Sequence, residues 1–225
     1  MSPVRAAIRL VTMLAVSGGA LFLLAGTLDW PAAWGYLGVI SLIMGTYMVI
    51  VLRLHPDLAD ERRHPPTDAK SWDKPLVAVV AGVGPLALLL LSGLDRRFHW
   101  SPPMPVWAQG AGLAAGLAGG MLTNAAVAVN RFFSALVRIQ RDRGHHVIDA
   151  GPYTYVRHPG YVGSIVYMLG TAVALGSRAA IAVTLVVVAV TIYRTAREDR
   201  TLQDELDGYA AYTQRVRYRL LPGVW

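Results

Sequence analysis

The chain has no cysteine among its 225 residues, which excludes disulfides, thiol nucleophiles and cysteine-ligated metals. Charge is scarce as well: Asp, Glu, Lys and Arg make up 16% of the residues against 54% hydrophobic ones, and the mean hydropathy is +0.42. So little charge beside so much apolar sequence excludes a disordered chain or an ordinary water-soluble domain, and defines an integral membrane protein. Acidic residues are the scarcer sign, 14 against 21 Lys and Arg, for a net charge of +7. That excess calls for no nucleic acid; it fits membrane topology and anionic lipid. No internal repeat is evident.

Long uncharged runs are what the chain has in quantity. A bilayer core of about 30 Å takes roughly 20 helical residues, and runs of that order occupy 10–28, 30–52, 75–94, 105–129 and 159–177. A sixth, 179–193, is shorter but contains the strongly apolar TLVVVAVTIY and can continue as helix into charged sequence. The expectation is an all-α integral membrane bundle of about six transmembrane helices. The first run follows Arg5 and Arg9 but is too long for a signal peptide and flows almost directly into the second, so it reads as an uncleaved first helix.

Lys and Arg concentrate on the cytoplasmic side of bacterial-type membrane proteins. With the N-terminus inside, eighteen of the twenty-one fall there: Arg5, Arg9, Arg53, Arg62, Arg63, Lys70, Lys74, Arg131, Arg138, Arg141, Arg143, Arg157, Arg194, Arg197, Arg200, Arg215, Arg217 and Arg219. Only Arg96, Arg97 and Arg178 fall outside. The chain is therefore expected in a bacterial inner membrane, multi-pass, with both termini cytoplasmic. It divides into a front part, 1–129, of four spans, and a back part, 130–225, that alternates cytosolic and apolar sequence. The fourth span carries GAGLAAGLAGGM, whose small residues let helices approach closely and read as packing.

Polar groups in the back part gather in three blocks: NRFFSALVRIQRDRGHHVI at 130–148, GPYTYVRHPGYVG at 151–163, and YRTAREDRTLQDELDGYAAY at 193–212. Gly151-Pro152 reads as a turn. Pro159 suits a first helical turn, where its missing N–H costs nothing, which puts His158 at or next to the N-cap of the fifth span. A helix N-terminus at the membrane surface offers N–H groups and partial positive charge to a carboxylate or phosphate. Arg194 and Glu198 lie four apart on one helical face, an arrangement that spacing alone explains as an ion pair at a membrane exit. His145 and His146 are adjacent and point apart, and no carboxylate accompanies them with metal-site spacing, so no metal is expected.

The succession GHHVIDAGPYTYVRHPGYVG, a hairpin of about two spans, R-x-x-x-E-D-x-x-L, Y-x-x-Y and a closing Leu-Pro resembles the isoprenylcysteine carboxyl methyltransferase family over roughly 130–222. Phospholipid N-methyltransferases share the general pattern, and membrane sterol reductases are more distant relatives. The resemblance implies S-adenosylmethionine in a cytosolic pocket with a lateral opening to lipid. By motif position His145, His146, Val147, Ile148, Tyr153, His158, Pro159, Gly160 and Tyr161 would line that pocket, with Glu198 as the acidic partner. Arg194 would sit at the acceptor, a lipophilic small molecule or lipidated group within the membrane lipids, and would hold a carboxylate bidentately during O-methylation. Two departures from the family pattern concern the tail: Asp199 replaces a second glutamate, and 206–209 is one residue short. The competing readings are an amine N-methyltransferase, a nicotinamide-dependent sterol-type reductase and a non-catalytic scaffold.

Overall fold

Proline opens several of the helices, as its fixed φ and missing N–H favour. Pro31, Pro56 and Pro159 each stand in a first turn. A computed structural model of the chain describes residues 3–61 and 68–225; Arg62 and Arg63, counted above toward the inner charge, lie outside the described residues. The apolar runs form α1 (Pro3–Ala25), α2 (Pro31–Arg53), α6 (Val106–Val129), α7 (Pro159–Leu175) and α8 (Arg178–Glu205). The third run is one continuous rod of α4 (Asp73–Val77), a π-helical turn (Ala78–Val83) and α5 (Gly84–Phe98). Short helices α3 (Pro56–Glu61) and α9 (Tyr209–Arg215) lie in connecting sequence and tail. No strand occurs among the described residues.

Five of these helices are long and apolar enough to cross a membrane. The sixth crossing is where length and expectation part. α7 has 17 residues, about 26 Å at 1.5 Å per residue, at the short end of the range that crosses a bilayer core. α8, built on the weakest of the six runs, is the longest at 28 residues, about 42 Å. It extends because the charged stretch 194–205 stays helical and turns Arg194 and Asp199 into protein interior rather than toward lipid. The chain is thus an integral, multi-pass, all-helical membrane protein.

α6 and α7 form the tightest pair. A Cβ on Gly112 would stand 2.6 Å from both the Ala174 nitrogen and the Gly170 oxygen, and one on Gly119 would stand 2.5 Å from the Tyr167 nitrogen. Backbone meets backbone there, the packing role read from the small residues of the fourth span. At one end of the bundle Asp95 gathers Ser101 Oγ at 2.6 Å and Ser177 Oγ at 2.5 Å, while Arg96 reaches the Asp29 carbonyl at 3.2 Å. Ser177 Oγ also accepts from Ala180 N at 3.1 Å and so caps α8. The opposite end carries the loop after α6, the start of α7, the end of α8 and the tail.

Candidate active site

Asn130 ends α6, and 134–140 then runs non-helically across the bundle end. It is pinned there: Lys70 N donates to the Val137 carbonyl at 2.9 Å, and Val137 N donates to Asp73 Oδ2 at 2.8 Å. Gln140, 1% exposed, donates to the Phe132 carbonyl at 2.6 Å. Between this loop, α7, α8 and the rod lies a cavity of ≈ 260 Å³. His145, His146, Val147, Ile148, Tyr153, His158, Gly160, Tyr161, Arg194 and Glu198 all line it. Pro159 does not; it is buried behind the wall as the first residue of α7. The rod contributes Val77, Val80 and Ala81 as an apolar side, partly from the π-helical turn, a kind of helix defect found often at functional sites.

The polar side is centred on α8. Tyr161 donates its hydroxyl to Glu198 Oε2, and the Arg194 guanidinium lies 5.2 Å from the Tyr161 ring centre. Arg194 does not pair with Glu198 as the i,i+4 spacing suggests. Its Nε and Nη2 hold the two oxygens of Asp73 at 2.7 and 2.9 Å, and Nη2 also donates to the Ala135 carbonyl at 2.9 Å. The bidentate face that the sequence assigns to an acceptor carboxylate is therefore occupied by Asp73. Nη1 makes no hydrogen bond to a described residue.

Asp199, with no exposed surface, is a second hub. It receives Arg157 Nε and Nη2 at 2.8 and 2.9 Å, Arg219 Nε at 2.8 Å, Tyr209 Oη at 3.1 Å and Gln203 Nε2 at 2.8 Å. His158 Nε2 stands 3.1 Å from the same carboxylate. An ionised carboxylate only accepts, so Nε2 carries the proton and Nδ1 is the ring nitrogen left over. In the first turn of α7 Tyr161 and Val162 donate back to the His158 carbonyl and Pro159 has no N–H, so the Gly160 amide is the donor left over. His158 thus caps α7 by its backbone and is anchored by its side chain to Asp199.

The same hub docks the tail. Arg157 Nη1 donates to the Val216 and Arg217 carbonyls at 2.8 and 2.7 Å, and the amides of Arg157 and His158 donate to Tyr218 and Arg219. Gly208, at φ +81°, supplies the turn into α9, and Leu206, Tyr209 and Tyr212 are buried together. Burial opposes the charge on Arg157, but Asp199 outweighs it and raises its pKa. Burial and the neighbouring Asp199 charge raise the Tyr209 hydroxyl, and burial raises that of Tyr153, so both stay protonated.

His145 and His146 flank one ring, that of Phe132, at 4.6 Å and 5.0 Å between centroids. Burial, then the charges of His146, Arg138 and Arg143, push His145 down to about 4, so it is neutral near pH 7. Sequence reading passed over Asp73, Phe132, Gln140 and Tyr209 as site residues. Phe132 and Gln140 sit inside the first polar block and Tyr209 in the Y-x-x-Y, so their neighbourhood was signalled; Asp73 carried no local signal.

An all-helical membrane protein with a mixed polar and apolar cavity at one end of its bundle is the class that fold and site define. Residues 113–204 match the model of the isoprenylcysteine carboxyl methyltransferase (ICMT) family. Protein-S-isoprenylcysteine O-methyltransferase B of Arabidopsis thaliana is 31% identical over 132 residues, 57% of this chain and 63% of that protein. Protein-S-isoprenylcysteine O-methyltransferase of Schizosaccharomyces pombe is 40% identical over 55 residues, 24% of this chain and 23% of that protein. The chain thus spans less than two thirds of the curated relatives it matches. The solved eukaryotic intramembrane Ras methyltransferase ICMT superposes with a TM-score of 0.62 at 21% identity, over 97% of this chain and 77% of that one, which shows a shared fold.

Proposed function

We propose that the chain is a membrane methyltransferase that uses S-adenosylmethionine to esterify the carboxylate of a lipophilic acceptor of the isoprenylcysteine class. One observation carries the reading: the cavity sets an acid (Glu198), a guanidinium with one nitrogen uncommitted (Arg194) and an apolar wall (Val77, Val80, Ala81) around one space. The donor set fits the cofactor. Glu198 with Tyr161 suits an ammonium or ribose hydroxyls, and Phe132, His145 and Tyr153 suit an adenine face or edge. With Nε2 committed to Asp199, His158 keeps Nδ1 for the polar end of the cofactor.

When bound, the cofactor supplies an electrophilic methyl group: the acceptor's oxygen forms a C–O bond as the S–C bond breaks and its electron pair stays on sulfur. No proton moves when the acceptor is already a carboxylate, so the chain's residues serve to orient and to exclude water. Arg194 can donate to the carboxylate and cannot take a proton from it. An amine acceptor would need a base, and Glu198 is the group available. The remainder of the reading is placement: a bacterial-type inner membrane, with both termini and the cavity on the cytosolic side, where the methyl donor is made.

The test is calorimetry of S-adenosylmethionine on the purified protein in lipid nanodiscs, followed by transfer of labelled methyl to N-acetyl-S-farnesylcysteine or to a long-chain amine. Micromolar-range donor binding and transfer to the acid alone are expected. Transfer to the amine alone would put the chain nearer the N-methyltransferases. No donor binding would overturn the reading.

A further inference from the structure

Asp73 is a carboxylate with no exposed surface, at the start of α4 and ahead of the segment 113–204 that carries the family match. It ties together three walls of the cavity. Its own backbone begins the rod, its Oδ2 accepts from Val137 N at 2.8 Å in the loop, and both oxygens hold Arg194 on α8. A guanidinium has five N–H groups; Nε gives its one to Asp73 and Nη2 gives its two to Asp73 and Ala135. Its Cζ lies over the Tyr161 ring, 5.2 Å from the ring centre. Its committed edge is thereby set by protein groups.

We infer that Asp73 is the positioning residue for Arg194, leaving only Nη1 to meet the acceptor, so that the carboxylate is held end-on by a single nitrogen. The inference rests on the carboxyl-methylation reading and deepens it. Asp73 also cancels the formal charge of Arg194, so attraction of an anion in bulk is weak and the contact is directional. A carboxylate held through one oxygen keeps its other oxygen free of the guanidinium, and that oxygen is the better nucleophile for the methyl carbon. The transfer itself is unchanged: one C–O bond forms, one S–C bond breaks, and no proton or co-reactant is needed.

Asp73→Asn leaves Arg194 buried without its counter-charge, and that variant can fail to fold. Asp73→Glu keeps charge and pairing but lengthens the arm by one methylene, moving the guanidinium by about 1 Å, a displacement that costs on the order of 100-fold when it misplaces a reacting group. The experiment compares wild type, Asp73→Glu, Arg194→Lys and the double variant for kcat and KM on N-acetyl-S-farnesylcysteine. It also measures calorimetric affinity for S-adenosylmethionine, calorimetric affinity for the same acid with S-adenosylhomocysteine present, and thermal unfolding.

For Asp73→Glu the expected result is a kcat lower by tens of fold, acid affinity about tenfold weaker, and donor affinity and unfolding temperature near wild type. The double variant should be no slower than Arg194→Lys alone, because both changes act on one contact. Wild-type turnover and acid affinity in Asp73→Glu would overturn the inference while leaving methylation intact. So would losses in Asp73→Glu that multiply with those of Arg194→Lys, or that fall equally on donor affinity and stability, since either marks a brace and nothing more. Wild-type protein that binds the donor but methylates no acid fails the functional reading itself, and the inference falls with it.

Discussion

Glu198 and Asp199 are neighbours in sequence with unlike tasks. Glu198 faces the cavity and holds Tyr161, whereas Asp199 is closed in by Arg157, Arg219, His158, Gln203 and Tyr209. Removing the charge of Glu198 should therefore affect ligand before fold: Glu198→Gln is expected to weaken S-adenosylmethionine binding by about 1–3 kcal/mol, the worth of a charge-assisted contact, with thermal unfolding unchanged. Asp199→Ala strands two arginines. It should lower stability by about 3–5 kcal/mol and expose the tail beyond 206 to protease, which limited proteolysis reads directly.

His145 gives the pH dependence at this scale. Its pKa is about 4 in the fold against 6.5 unfolded. Above pH 6.5 neither state binds the proton and the contribution to stability is complete. Between 6.5 and 4 the unfolded chain takes up a proton that the folded one refuses, so stability falls as the pH falls. Intrinsic-rate-corrected hydrogen exchange in 138–147 should rise from pH 7 to pH 4.5, and His145→Gln should flatten that rise. Glu198 and His145 were legible as cavity-lining residues through the family resemblance of the motifs around them. Asp73 was not: its partner is 121 residues away, and nothing in the loop preceding it distinguishes this aspartate from the others.

Among the elements, α6 and α7 show how far composition reaches. Glycine spacing in GAGLAAGLAGGM reads as close packing, and the close approach is there, but which helix meets it depends on glycines of α7 at Gly163 and Gly170 that sit among ordinary apolar residues. A Cβ on Gly170 would stand 2.5 Å from the Gly116 nitrogen and 2.6 Å from the Gly112 oxygen, with rigid backbone on both sides. Gly170→Ala should force the pair apart and cost about 1–3 kcal/mol, seen as a lower unfolding temperature in detergent. Gly38, with nothing within 4 Å of an added Cβ, should accept alanine without that loss. Helix length was less legible than helix existence. Apolar content marks where lipid ends, but charged residues continue a helix when protein receives them, and α8 does so through Asp73 on Arg194 and through the contacts of Asp199.

At the scale of the molecule, the two ends of the bundle differ in chemistry. One end holds Asp29, Asp95, Ser101 and Ser177 with Arg96 and Arg97, near Trp30, Phe98 and Trp100, an assortment suited to a membrane interface. The other holds the cavity and the basic loops. The charge bias of the sequence predicts the first end outward and the second inward, and under the proposed function the methyl donor is met inside, so charge and chemistry must agree if that function is right. Reporter fusions after Asp142 and after Trp225 should both report cytoplasm, and a fusion after Arg97 should report the opposite side. Adding four lysines beside Arg97 should weaken that orientation, because the bias works through Lys and Arg close to the spans. A loop at Asp142 that reports the outer side in the native chain would remove the cavity from its methyl donor, and the carboxyl-methylation reading would not survive it.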